Sequence, residues 1–229
     1  MKHILESYEK ELQQSREQVL TMASIARRNL ANAFRGLLER NLELCNGAIA
    51  DDEEVDRLEM QIDQQGMEIL MRFQPVAHDL RQMISTIRIS NNLERISDEA
   101  VNIARRARKI NKVAELEDTT LVQPVYDMAS AMIRDSIQAY ADRDVEASLR
   151  LAESDNQLNK IYKQVVKRLT KAIETRPEHA KVLIHLIFVL HCLERIGDHA
   201  KNICEETIFM ESATDVRHGG RQEMQNRSA

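Results

Sequence analysis

One phrase is written twice in this chain, and it constrains the fold more than any other feature. N91-N-L-E-R-I-S-D-E-A-V-N-I-A104 is followed 100 residues later by H191-C-L-E-R-I-G-D-H-A-K-N-I-C204, with eight of fourteen positions identical. Its surroundings repeat as well. Ile84 and Ile87 match Ile184 and Ile187, Gln74-Pro75 stands where Arg176-Pro177 does, and D52-E-E-V-D-R-L58 lines up with D155-N-Q-L-N-K-I161. Self-similarity on this scale means two copies of one structural unit, each burying its apolar face partly against the other.

The unit is helical. Leu186, Val189, Leu193, Ile196, Ala200 and Ile203 recur at three- and four-residue steps and form one stripe. No stretch shows sustained alternation. Gly (6) and Pro (3) are few and Trp is absent, a composition that favours helix almost throughout. Breaks fall around Arg40-Asn41, at Gln74-Pro75, over Ala114 to Thr119, around Ala141-Asp142, at Arg176-Pro177 and after Glu211. They predict six helices, near 5–39, 41–73, 76–111, 119–141, 143–175 and 178–210. Pro75 and Pro177 suit first helical turns, where a missing N–H matters little. The expected architecture is all-α: two tandem three-helix bundles over 1–112 and 113–211, then a flexible polar tail over 212–229.

Several function classes are excluded or disfavoured at this point. A net charge of -5 with few aromatics argues against nucleic acid as a partner. Cys45, Cys192 and Cys204 are odd in number, and the last two lie twelve residues apart on one predicted helix. That is roughly 18 Å, well beyond disulfide reach, so reduced thiols in a cytoplasmic protein are expected. The N-terminus has no apolar signal region. The longest apolar run, V182-L-I-H-L-I-F-V-L-H-C-L193, is short and carries two His, as a core helix does and a membrane span does not.

The repeated phrase carries chemistry. Residues four apart share a helix face, which stacks Glu94 on Asp98 and Glu194 on Asp198, with Asn102 and Asn202 a turn further on. The second helix of each half offers Asp52 and Asp56, or Asp155 and Asn159. In a bundle these acids gather into an all-oxygen cluster suited to hard or borderline divalent cations or to iron. His191 is positioned to add a nitrogen in the second half. The competing reading is a salt-bridge lattice in which Lys201, Arg95 and Arg195 neutralise the acids. Gly197, whose counterpart is Ser97, costs helix stability and so implies either close packing or required space on that face.

R72-F-Q-P-V-A-H-D-L-R81, L93-E-R-I-S-D-E-A-V-N-I-A-R105, F188-V-L-H-C-L-E-R-I-G-D-H-A-K-N-I203 and D215-V-R-H218 together resemble the PhoU family, over about Leu5 to Glu211. The resemblance implies paired three-helix bundles that hold multinuclear metal clusters, often iron or zinc, with manganese or magnesium as further candidates. It places the motif on Glu94/Asp98 and Glu194/Asp198, with Asp52, Asp56 and Asp155 as partners. It implies a homodimer in the bacterial cytoplasm, peripheral to the membrane. There the protein would restrain the phosphate-starvation response and phosphate uptake by contacting a sensor histidine kinase and the ATPase of the phosphate ABC transporter. The chain departs from the family pattern at Arg27, where an acid is usual, at Ser97 in place of Gly, and at Asn159 in place of an acid.

Two other functions compete with this non-enzymatic regulator. A carboxylate-bridged di-metal enzyme would need Glu-x-x-His motifs, and the chain has none. A metal-free helical adaptor leaves the repeated acids unexplained.

Overall fold

The apolar stripes become long helices wherever no breaker interrupts them. The computed structural model describes the backbone of residues 2–113 and 116–217, and the side chains of these except 2–5 and 153. The first half comprises α1 (Lys2–Leu38), α2 (Leu42–Ala50), α3 (Asp52–Phe73) and α4 (Ala77–Ile110). The second comprises α5 (Gln123–Asp142), α6 (Val145–Thr175) and α7 (Ala180–Ser212), with 3-10 turns at Glu117–Val122 and Pro177–His179. No strand occurs among the described residues.

The helix expected over 41–73 is two helices. The Asn41 side chain accepts from the Glu43 and Leu44 N–H groups and starts α2, whose last turn closes with Asp51 N–H on the Gly47 carbonyl. Asp52, Glu53 and Glu54 then fill the first turn of α3, where acids oppose the helix dipole favourably. The closing bond from Asp51 to Gly47 and the acid run at 52–54 therefore restart the chain at Asp51 while the apolar period runs on. In the second half the corresponding segment is a single helix, α6.

Two prolines behave differently from expectation. Pro75 lies in the linker between α3 and α4, whereas Pro124, not singled out from sequence, begins α5 just after a 3-10 turn. Pro177 does open a helical turn, a 3-10 one. Arg40, Gln74, Arg143 and Ala213 end their helices with positive φ, each within two residues of a predicted break. α7 runs to Ser212, one residue into the expected tail. Beyond it Val216 is buried (4 %) and Arg217 lies 3.6 Å from Glu206. Residues 218–229, including His218, lie outside the described residues.

α4 and α7 lie side by side at the centre, with α1 and α3 against α4, and α5 and α6 against α7. They run antiparallel. Arg88 meets Glu206 (3.3 Å), Asn92 meets Asn202 (3.2 Å), Arg195 meets Glu99 (2.6 Å), and Arg106 sits over the Phe188 ring (4.2 Å). One apolar cluster runs from Val19 on α1 to Met210 on α7, so the two bundles share their core. The run from Val182 to Leu193 belongs to it through Val182, Leu183, Leu186, Val189, Leu190 and Leu193. No helix among the described residues is long and apolar enough to cross a membrane. The three cysteines are buried and none is in a disulfide.

Candidate functional site

The duplicated phrase lies on α4 and α7, the two central helices, and each copy faces the outer helix of its own half. In the first half Glu94 and Asp98 on α4 stand near Asp52 and Asp56 on α3. Burial pushes the Glu94 carboxyl up to about 7, and Asp98, Asp56 and Glu59 add repulsion that Arg95 only partly offsets. Asp52 and Asp56 are raised too, mainly by burial and then by neighbouring carboxylates. The Ser97 hydroxyl donates to Asp52 Oδ1 (2.6 Å) and itself accepts from the buried Asn29 amide (3.2 Å). Ser97 at the usual Gly position thus fastens an acid of the cluster to α1.

In the second half Asp198 on α7 is pushed up to about 6, first by burial and then by Glu194 and Asp155. Asp155 on α6 is 8 % exposed; Lys201 Nζ lies 3.6 Å from its Oδ2, and the Asn159 amide donates to the same oxygen at 3.4 Å. His191 is exposed, with Nδ1 3.7 Å from Glu194. Gly197 answers the packing question: a Cβ there would run into the buried Leu158 side chain of α6.

All seven sequence-predicted acids therefore fall into two clusters of like charge. Glu59 joins the first through its effect on Glu94, and Arg105 through its effect on Asp52. Glu59 was missed although its place, three residues after Asp56, puts it on the same face. Arg27 does not neutralise the first cluster. It is exposed and engages no ion pair among the described residues, while Arg95 reaches Glu94 (3.2 Å) and Asp98 (3.6 Å), and Arg28 holds Asp51 (2.9 Å).

The donor set fits a hard cation. Its ligands are oxygens, and Asp155 Oδ1 is buried without a hydrogen-bond partner, the state a cation relieves, while Glu94 Oε2, also without a hydrogen bond, has the Arg95 guanidinium 3.2 Å away. As the side chains stand, no three His, Cys, Asp or Glu among the described residues converge closely enough to hold an ion. The arrangement suits an ion that takes one or two carboxylates from each cluster and keeps its waters; a closed protein shell would require the side chains to turn inward.

The PhoU domain model matches this chain twice, over residues 19–107 and 122–207. The phosphate-specific transport system accessory protein PhoU homolog of Pseudomonas putida is 34 % identical over 223 residues, covering 97 % of this chain and 87 % of the relative. The corresponding PhoU protein of Serratia marcescens is 30 % identical, covering 96 % and 90 %. In three dimensions the chain is similar to PhoU from Pseudomonas aeruginosa (TM-score 0.88, 30 % identity, 90 % of this chain and 100 % of that one). It shares its fold with the phosphate transport system regulatory protein PhoU of Streptococcus pneumoniae (TM-score 0.83, 21 % identity, 91 % and 99 %).

Proposed function

This chain belongs to the PhoU family, and from that premise we propose that it is a non-enzymatic negative regulator of the phosphate-starvation response and of phosphate uptake. The observation that carries the reading is coverage: the two domain matches take in residues 19–107 and 122–207, and the P. putida relative, a phosphate-transport accessory protein by name, aligns over 97 % of the chain. In this reading the protein works in the cytoplasm as a homodimer. It contacts the sensor histidine kinase and the ATPase of the phosphate ABC transporter, and any membrane attachment is peripheral. The test is a deletion strain carrying a phosphate-responsive reporter. Derepression in high phosphate, reversed by the wild-type chain, is expected; normal repression in the deletion strain overturns the reading.

The two acidic clusters are the proposed metal sites. Glu94, Asp98, Asp52 and Asp56 would hold one ion or cluster, and Glu194, Asp198 and Asp155 the other, with iron, zinc, manganese and magnesium as candidates. Bound cations would relieve the repulsion that raises Glu94 and Asp198 and would fix the facing helices in one arrangement for a partner. Elemental mass spectrometry of the tag-free wild type against Glu94→Gln/Asp98→Asn and Glu194→Gln/Asp198→Asn checks this, with loss of metal from each variant expected. A metal-free adaptor is favoured by one observation, that Arg95 and Lys201 already bring cations to the clusters. Wild-type protein that takes up no ion under any loading would establish that alternative.

A further inference from the structure

The outer helices of the two halves are copies that have diverged in charge. Val55, Ile62, Gly66 and Ile69 on the buried side of α3 match Leu158, Val165, Leu169 and Ala172 on α6, all buried. In the same register the outward faces share Gln61 with Gln164 and a cation at Arg57 and Lys160, and differ in charge elsewhere. Met60 has Lys163 as its counterpart, Gln64 has Lys167 and Glu68 has Lys171.

The face of α3 is acidic with an apolar ridge. Met60, Met67 and Met71 are 62 %, 58 % and 71 % exposed, at spacings of seven and four that keep them on one side of the helix. Both cations of α3 are already committed, Arg57 to Glu54 (2.5 Å) and Arg72 to Glu11 (2.9 Å). Glu53 and Glu68 are exposed beside the ridge and have no cation partner among the described residues, while Glu59 and Asp63 turn toward α4. On α6 the exposed Lys160, Lys163, Lys167, Arg168 and Lys171 form a stripe in which none engages an ion pair among the described residues. The methionine ridge and the lysine stripe each extend over eleven residues, about 16 Å.

We infer that α3 of one copy of this chain seats on α6 of a second copy. Spare carboxylates on one face and spare cations on the other, equal in length, make the chain complementary to itself. The lysine stems supply methylenes that lie along the methionine ridge while their ammonium groups reach the flanking acids. Methionine suits such a contact because its unbranched thioether adapts to the surface it meets. The inference gives a surface to the homodimer proposed above and rests on that part of the reading.

Sedimentation velocity over a range of concentrations, in low and high salt, tests it on the full chain. The variants are Glu53→Lys/Glu68→Lys on α3, Lys163→Glu/Lys171→Glu on α6, and all four together. All four positions are exposed; Glu53→Lys also removes a favourable charge from the start of α3, so helical circular dichroism checks that each variant folds. Expected is a self-association that salt weakens, that either pair of reversals weakens by at least about tenfold, and that the fourfold variant recovers. A plateau at two chains, the contact made reciprocally, sustains the inference; continued head-to-tail growth that the charge reversals weaken keeps the surface but overturns the homodimer on which the inference rests. Association that ignores all three variants overturns the surface and leaves the homodimer standing. A monomer under every condition overturns both. Binding of phosphatidylglycerol vesicles that depends on Lys163 and Lys171, without self-association, assigns α6 to an anionic membrane and also overturns the inference.

Discussion

Two carboxyl groups, each raised by burial and by the acids of its own cluster, give the metal-free protein a pH dependence whose sign is fixed. Glu94 at about 7 and Asp198 at about 6 both lie above their ordinary values. A group raised in the folded state binds its proton more tightly there, so folding is most favourable below the ordinary carboxylate range. Stability is then lost as pH rises through about 4 to 7. Thermal midpoints of metal-free protein are expected to fall across this window, and Glu94→Gln with Asp198→Asn to flatten the fall. Addition of a divalent ion should restore the midpoint on the alkaline side. Gly197 gives a second residue-scale test. Gly197→Ala gains helix propensity but drives a methyl group into Leu158, with a net cost of about 1–2 kcal/mol. In a Leu158→Ala background the cost should vanish, a coupling that urea denaturation of the four proteins measures.

At the scale of elements, the start of α2 is held by local hydrogen bonds. Asn41 satisfies two of the N–H groups that open α2. Asn41→Ala is expected to cost about 1 kcal/mol and to raise amide exchange selectively over residues 42–50. Uniform loss of protection across the first half would instead tie α2 into the global unfolding unit. The sequence pattern merged α2 with α3 because apolar periodicity is insensitive to a single-residue reset. The acid run at 52–54 was the legible signal, and it is local. The C-terminal ends of the other helices were readable within two residues because a breaker or a polar cluster stands at each, whereas α5 begins four residues after the expected 119, behind a 3-10 turn.

Across the whole molecule, α4 and α7 tie the halves together through both core and charge. Arg195 neutralises Glu99, which is buried in the seam (2.6 Å). Arg195→Ala leaves that carboxylate without its cation and is expected to cost about 2–3 kcal/mol. Because one apolar cluster crosses both bundles, the loss should shift a single urea transition; a split into two transitions would mean that the halves unfold separately. What the sequence determined by itself is periodic and local. The doubled phrase specified two related helical units, the apolar stripes marked which faces are buried, and the four-residue spacing aligned Glu94 with Asp98 and Glu194 with Asp198. Only the tertiary structure decided which cation meets which acid, because an ion pair depends on how separate helices are set beside one another. It assigned Arg95, and not Arg27, to the first cluster, brought Lys201 to Asp155, and put Glu99 opposite Arg195. It also decided that the outward faces of α3 and α6 are exposed and opposite in charge. Spacing along one helix shows which residues share a face, while burial and charge pairing depend on what packs against that face.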